Sequence, residues 1–436
     1  MAATAEAPLT IGSLPRASLQ DVVLSARAFF RPGAARSRLA RLGERFVVDL
    51  PGLPPVVMTW SPDDAKAILT DRDGALSFGQ MLHRWTPHPV LFGGDSLIFL
   101  EGEEHVSERR RMAPPFHGRM MTAYEESIAD LARERVEQWP LGERAPFLTL
   151  AKEYVLDVMR TIIFGVSDPG RMQRLDAAML EYCAAVESNA FLGYGIAGVA
   201  LRGRWPSYGP VDRAAAAVEA IVLEEIAERR VTGKEGDFLA MLVDTTSDAT
   251  LARDLRGLLL AGYETTAVTL ASVVEQLAHH PHALDRLLDE VDAGGHEYAD
   301  AVVHEVMRLR PSFPFTGRRA VRDTELAGLS VRRGTMLVIS VMAVHEREDV
   351  YPEPRVFRPE RFLDQRPGTY TWLAFGGGPH RCIGAPLALF ESRILLRELF
   401  VRRTIELLPG RPKPPRQTHP MLVPSDGARV VLRRRG

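Results

Sequence analysis

The sequence predicts a mainly α fold with a smaller β portion, in a single large domain covering residues 1–436. Three observations carry that expectation. Apolar residues recur at helical spacing through most of 103–279. One stretch of this region, 248–279, keeps the pattern long enough to span roughly 45–50 Å, as a helix crossing the middle of a large domain does. No internal repeat, low-complexity linker or shift in composition marks a second domain.

Taken in order, residues 1–44 read as a partly irregular N-terminal extension. "RFVVDLPGLPPVVMTW" (45–60) reads as two short strands around a turn at Pro51–Pro55, and Ser61 caps the helical pattern that follows. From 103 to 139 the pattern is helical and broken at Pro114–Pro115. Further helices follow up to the long one at 248–279. Strand-like segments return at 325–342 and in "ARVVLRRR" near the end.

Composition narrows the function. A chain with 46% hydrophobic and 25% charged residues is expected to be soluble and globular, with a core large enough for a buried cofactor. A net charge of −2 argues against general nucleic-acid binding. Two cysteines make neither a disulfide framework nor a cysteine-based zinc site, so a reducing, cytoplasmic setting is expected. The first residues lack signal-peptide order, and no apolar run of about 18 residues predicts a membrane span. "GYGIAG" (193–198) matches a dinucleotide-loop spacing but follows no strand, and reads as a flexible turn. No phosphate loop, H-E-x-x-H or G-x-S-x-G is present.

"FGGGPHRCIG" (375–384) is the segment where chemistry concentrates. A helical pattern follows Cys382, with Pro386 tolerated in its first turn, so the thiol lies near a helix N-terminus that favours a thiolate. Gly376, Gly377 and Gly378 let backbone approach a flat object closely. A nucleophile served by His380, a thiolate ligand to haem iron, and a small buried hydrophobe all fit these residues.

Phe375, Gly378, His380, Cys382 and Gly384 together resemble the haem-binding loop F-x-x-G-x-H/R-x-C-x-G of the cytochrome P-450 family, in its bacterial soluble type. Three further segments resemble family motifs in the right order. "HEVMR" supplies Glu305 and Arg308, and "FRPERF" supplies Arg361, as a structural triad behind the cysteine loop. "AGYETT" places Ala261 against the cofactor and makes Glu264 and Thr265 the acid–alcohol pair that governs proton delivery; its glycine and threonine are expected to open the helix locally, as a π-bulge does. "HVSER" places His105 and Arg109 on one helix face, toward the haem propionates. His380 and Arg318 join them, with Arg319 the competing choice.

The resemblance implies haem b between the long helix and the cysteine loop, with Gly376 against the porphyrin and Cys382 as its axial thiolate. It implies a monooxygenase that activates O2 and hydroxylates or epoxidises a hydrophobic small molecule: a fatty acid, terpene or polyketide-like compound. Electrons would come from NAD(P)H through a separate ferredoxin and ferredoxin reductase, since the chain carries no convincing flavin, nicotinamide or iron–sulfur motif. A haem-thiolate peroxygenase or isomerase, and a non-catalytic haem-binding sensor, are the alternatives. Trp85, Leu260, Phe313 and Thr316 are the expected pocket residues. Arg109, Arg110, Arg111, Arg393 and Arg397 form either a docking patch for an acidic ferredoxin or a solvated face. A monomer is expected.

Overall fold

The structure, a computed structural model, describes residues 9–17, 40–49, 54–85, 87–93, 95–166, 168–200, 204–233, 237–363, 365–418 and 421–435. Among the described residues helix accounts for 57% against 13% strand, so the expected balance holds. The pattern at 45–60 forms the antiparallel strands Arg45–Val48 and Val56–Thr59, with Phe46 opposite Met58; residues 50–53 of the expected turn lie outside the described residues. Val56–Thr59 also pairs in parallel with Met336–Ser340, in a six-stranded sheet ordered Arg16–Ala17, Arg45–Val48, Val56–Thr59, Met336–Ser340, Phe315–Ala320, Leu76–Ser77. Sequence-distant strands thus share one sheet, and a small core of Phe46, Val57, Leu337 and Ile339 forms on it.

The helical part packs around one long helix, Asp248–His279, hereafter the central helix. Ser247 caps it by accepting from the Thr250 N–H. It is buried on nearly every side from Thr266 to Ala278, as an internal helix of a large core must be. Among the described residues it alone is long and apolar enough to cross a membrane, and 67% of its apolar window is buried inside the protein. "GYGIAG" is not a turn. It lies within the helix Asn189–Ala200. A glycine inside a helix costs about 1 kcal/mol against alanine, but Trp205 occupies the space a Gly198 side chain would need, 1.8 Å from an added Cβ.

The helix Ala385–Arg402, hereafter the cysteine helix, packs against Arg119–Gln138 and the central helix. Its Glu391 is buried, hydrogen-bonds Thr266 of the central helix, and leaves one carboxyl oxygen without a partner. Burial pushes this carboxyl up to about 8 from its ordinary 4.5. The folded state therefore holds the proton more tightly than the unfolded chain. That contribution is present in full below 4.5 and lost as pH rises through about 8. Glu391→Gln is expected to remove the alkaline loss. Melting temperatures at about pH 5 and about pH 9 should differ less in the variant than in the parent chain; an unchanged alkaline decline would show that the carboxyl is already ionised.

Candidate cofactor and substrate site

Backbone hydrogen bonds set the cysteine loop. Gly376 N donates to Leu373 O at 2.9 Å, Arg381 N to Gly378 O at 3.1 Å, and Cys382 N to Phe375 O at 2.9 Å. Gly376 and Gly378 adopt φ of 68° and 65°, where side chains are rare. They serve different ends. A Cβ on Gly378 would lie 1.9 Å from the Leu69 carbonyl oxygen, so that glycine lets protein backbone approach. A Cβ on Gly376 would meet nothing within 4 Å. Only Gly376 matches the expectation of an open face on the loop.

The Cys382 side chain has accessible surface, yet burial is the main influence on its thiol, which is pushed above its ordinary 9.0. The two observations agree if the thiol faces an internal hollow instead of bulk water. The N–H groups of Gly384 and Ala385 and the charges of Arg109 and Arg381 pull the other way. Burial outweighs them. A cation at the sulfur reverses that balance.

A second uncovered position lies on the central helix. Ala261 is exposed midway along it, with Leu260 and Thr265 half-buried beside it. The expected opening is absent. Residues 248–279 are continuous α-helix; the Thr265 hydroxyl donates to Ala261 O (2.7 Å) and that of Thr269 to Thr265 O (2.9 Å) without breaking it, each carbonyl having a second lone pair to offer. A π-helical turn does occur, at Met159–Ile163 in the neighbouring chain segment. Its Met159 Sδ and Cε would lie 3.1 and 2.9 Å from a Cβ on Gly262, so this glycine serves close packing. Glu264 and Thr265 do not bond to each other. Glu264 meets Lys152 Nζ at 2.7 Å, and Lys152 meets Glu187 at 3.0 Å. Burial raises the Glu264 carboxyl, with Lys152 opposing it.

Basic side chains gather around the helix Gly102–Met112. His105 is buried and stacks on His380, ring centroids 4.0 Å apart. Burial first, then the charges of His380 and Arg109, lowers His105 to about 4. His380 Nε2 lies 3.0 Å from Glu101 Oε2, whose other oxygen accepts from Ser77 Oγ and Gly79 N. Sequence reasoning missed Glu101. Only its place immediately before the helix Gly102–Met112 hinted at a role. Arg318 is buried with its guanidinium 4.7 Å from the Phe78 ring and donates to its neighbour's carbonyl, Gly317 O. No carboxylate lies within ion-pair distance of Arg318 or Arg109 among the described residues, and burial lowers Arg318 to about 10. A buried guanidinium in that position wants an anion. Arg319, one residue along the strand, faces the other way, to Gln80 Oε1 at 3.2 Å.

The triad behind the loop is assembled. Arg308 grips both oxygens of Glu305 at 2.7 and 2.8 Å, and Arg361 Nε reaches Glu305 at 3.1 Å. Arg308 also donates to the carbonyls of His345 and Pro354. His345, missed in the sequence, closes the circuit. Its Nδ1 meets Arg308 O and its Nε2 accepts from Leu373 N at 2.7 Å, at the foot of the cysteine loop. Burial holds it down to about 3, in the neutral form that can accept.

Of the expected pocket residues, Phe313 is exposed and Thr316 and Leu260 are half-buried; the side chain of Trp85 lies outside the described residues. The expected basic patch is smaller than the arginine count suggested. Arg111 pairs with Glu108 and Asp254, Arg393 with Asp300, and Arg397 with Glu125 and Glu398. Arg110 and Arg381 remain exposed.

A recessed thiol, an uncovered alanine on the facing helix, and guanidinium groups without counter-charges fit a flat, dianionic, iron-holding macrocycle. The comparisons with known proteins agree. The Cytochrome P450 family profile matches residues 40–432. The putative cytochrome P450 137 of Mycobacterium tuberculosis is 34% identical over 80% of this chain and 75% of its own length. The putative cytochrome P450 135B1 of Mycobacterium bovis is 30% identical over 90% of this chain and 85% of its own. The cyanobacterial CYP120A1, solved with retinoic acid bound, superposes with a TM-score of 0.77 at 23% identity, covering 98% of this chain and 99% of that one. CYP175A1 from Thermus superposes at 0.73 with 22% identity, covering 96% and 100%. The fold is that of the haem-thiolate monooxygenases. The chain belongs to the cytochrome P450 family and is a P450 monooxygenase, an oxidoreductase whose family cofactor is haem held by a cysteine thiolate.

Proposed function

We propose that this chain hydroxylates or epoxidises a hydrophobic small molecule of the fatty acid, terpene or polyketide-like kind. The observations that carry the reading are the accessible surface of the Cys382 thiol and the uncovered Ala261–Thr265 face of the central helix. Cys382 would hold the iron, and His105, Arg109, Arg318 and His380 would hold the two carboxylates, with Glu101 keeping the His380 ring in place. When bound, haem supplies the activation of O2 and the oxygen transfer. Thr265 commits its hydrogen to Ala261 O, so its oxygen presents lone pairs that can hold a water or other proton donor in the hollow. Glu264, Lys152 and Glu187 form a chain of exchangeable protons leading outward from that point. Leu260 and Phe313 keep the chamber apolar. Glu305, Arg308 and Arg361 fix the loop that bears the thiol.

Electrons enter from NAD(P)H through a ferredoxin and its reductase, and the exposed Arg110 and Arg381 face an acidic partner. The unpaired Cys183 and Cys382 fit a reducing, cytoplasmic setting, and the chain is read as a monomer. The test is coupled turnover. With surrogate ferredoxin, NADH consumption matched to oxygenated product is expected in the parent chain. Thr265→Ala should consume NADH at a similar rate yet lose product by about tenfold or more. Full coupling in Thr265→Ala would remove the threonine from proton delivery. Turnover only with added peroxide would favour a peroxygenase, and none with either donor would favour a sensor.

A further inference from the structure

The central helix is gripped by one chain segment at the turn that carries Thr265. The helix Phe147–Val158 runs straight into the π-helical turn Met159–Ile163, where Phe164 N donates to Met159 O, five residues back, at 3.3 Å. Such turns are uncommon and collect at functional positions. Lys152 and Met159 stand seven residues apart, about two helical turns, and so share one face of this segment. Both meet the central helix. Lys152 Nζ lies 2.7 Å from Glu264, and the buried Met159 side chain fills the space beside Gly262, its Cε 2.9 Å from where a Cβ would stand. Gly262 and Glu264 lie about 200° apart around the helix, so the two grips close on it from opposite sides. The next residue, Arg160, anchors the π-turn elsewhere, pairing with Asp157 at 2.9 Å and with Asp176 of the helix Pro169–Glu187 at 2.5 Å.

Gly262 lies within one helical turn of Thr265. A glycine inside a helix is a weak point, because it brings backbone freedom and no side chain to pack. Met159 supplies the missing packing from another segment. We propose that Met159 is a positioning residue: it clamps the central helix at Gly262, keeps the 261–265 turn closed, and so keeps the Thr265 hydroxyl on Ala261 O (2.7 Å). The proposal rests on the reading of Thr265 as the group that holds a proton donor. Met159 is itself enclosed, so it acts through that turn and not by contact with a ligand.

The test uses the haem-loaded full chain and reads backbone hydrogen exchange by mass spectrometry. Met159→Ala is expected to speed exchange about tenfold or more across residues 261–267, with 270–278 changed by less than about twofold. Met159→Leu keeps the volume and should stay within about twofold of the parent. Met159→Val ends short of Gly262. It should shift the same way by a smaller factor, and it carries the test if Met159→Ala does not fold. Coupled turnover is the second readout. Met159→Ala should lose product per NADH by about threefold or more, and Met159→Ala combined with Thr265→Ala should lose no more than Thr265→Ala alone, as a residue acting through the threonine must. Unchanged exchange across 261–267, equal acceleration along the whole helix, or losses that multiply in the double variant would overturn the proposal. If Thr265→Ala stays fully coupled, the proton-delivery reading fails and takes the turnover arm with it, while the exchange arm still decides whether Met159 holds the turn.

Discussion

Arg308→Ala is expected to abolish accumulation of folded, haem-competent protein. Glu305 and Arg308 are fully enclosed, and the arginine answers both carboxylate oxygens and two backbone carbonyls. Removing one member of a buried pair leaves an uncompensated charge, at a cost of about 3–5 kcal/mol. Arg361 and the Arg358 N–H remain near Glu305, but the carbonyls of His345 and Pro354 lose their donor. Total stabilities run at roughly 5–15 kcal/mol, so most of the margin is lost. Because His345 links Arg308 to Leu373, the damage also reaches the cysteine loop. Arg308→Lys keeps the charge without the fork and should recover only part of the yield. Soluble expression and thermal melting check this, and a variant that melts within a few degrees of the parent would contradict it.

Cys382→Ser is expected to leave the fold standing and remove thiolate ligation completely. The loop is closed by the Cys382 N–H and by glycine geometry, neither of which uses the sulfur. Cys382 has accessible surface, so its replacement by serine should change stability by no more than about 1 kcal/mol. The two variants therefore separate. One loses the protein, the other keeps the protein and loses the sulfur donor.

Local signals were legible where the physics is local. The unbroken apolar pattern marked the central helix to its observed ends, Asp248–His279. The order of glycines, histidine and cysteine marked the loop, and the resemblance of "HEVMR" to a family motif marked the pairing of Glu305 and Arg308. Features made by distant residues were not legible. His345 meets Leu373 and Glu101 meets His380 across separations that no spacing rule covers. The helix at 193–198 depends on Trp205 docking over Gly198, which outweighs the glycines' preference for a turn. The absent bulge at Gly262 has the same origin, since Met159 from another segment fills that space. Counting arginines overstated the docking patch because carboxylates elsewhere in the chain answer three of the five.

The central claim is that Cys382 faces a haem in the hollow below Ala261. The most direct measurement is the difference spectrum of the purified chain after reduction and exposure to carbon monoxide. The account predicts an intense band at the wavelength for which the family is named, lost in Cys382→Ser. A haem whose carbon monoxide band matches a histidine-ligated protein, or a parent-like band surviving in Cys382→Ser, would contradict it.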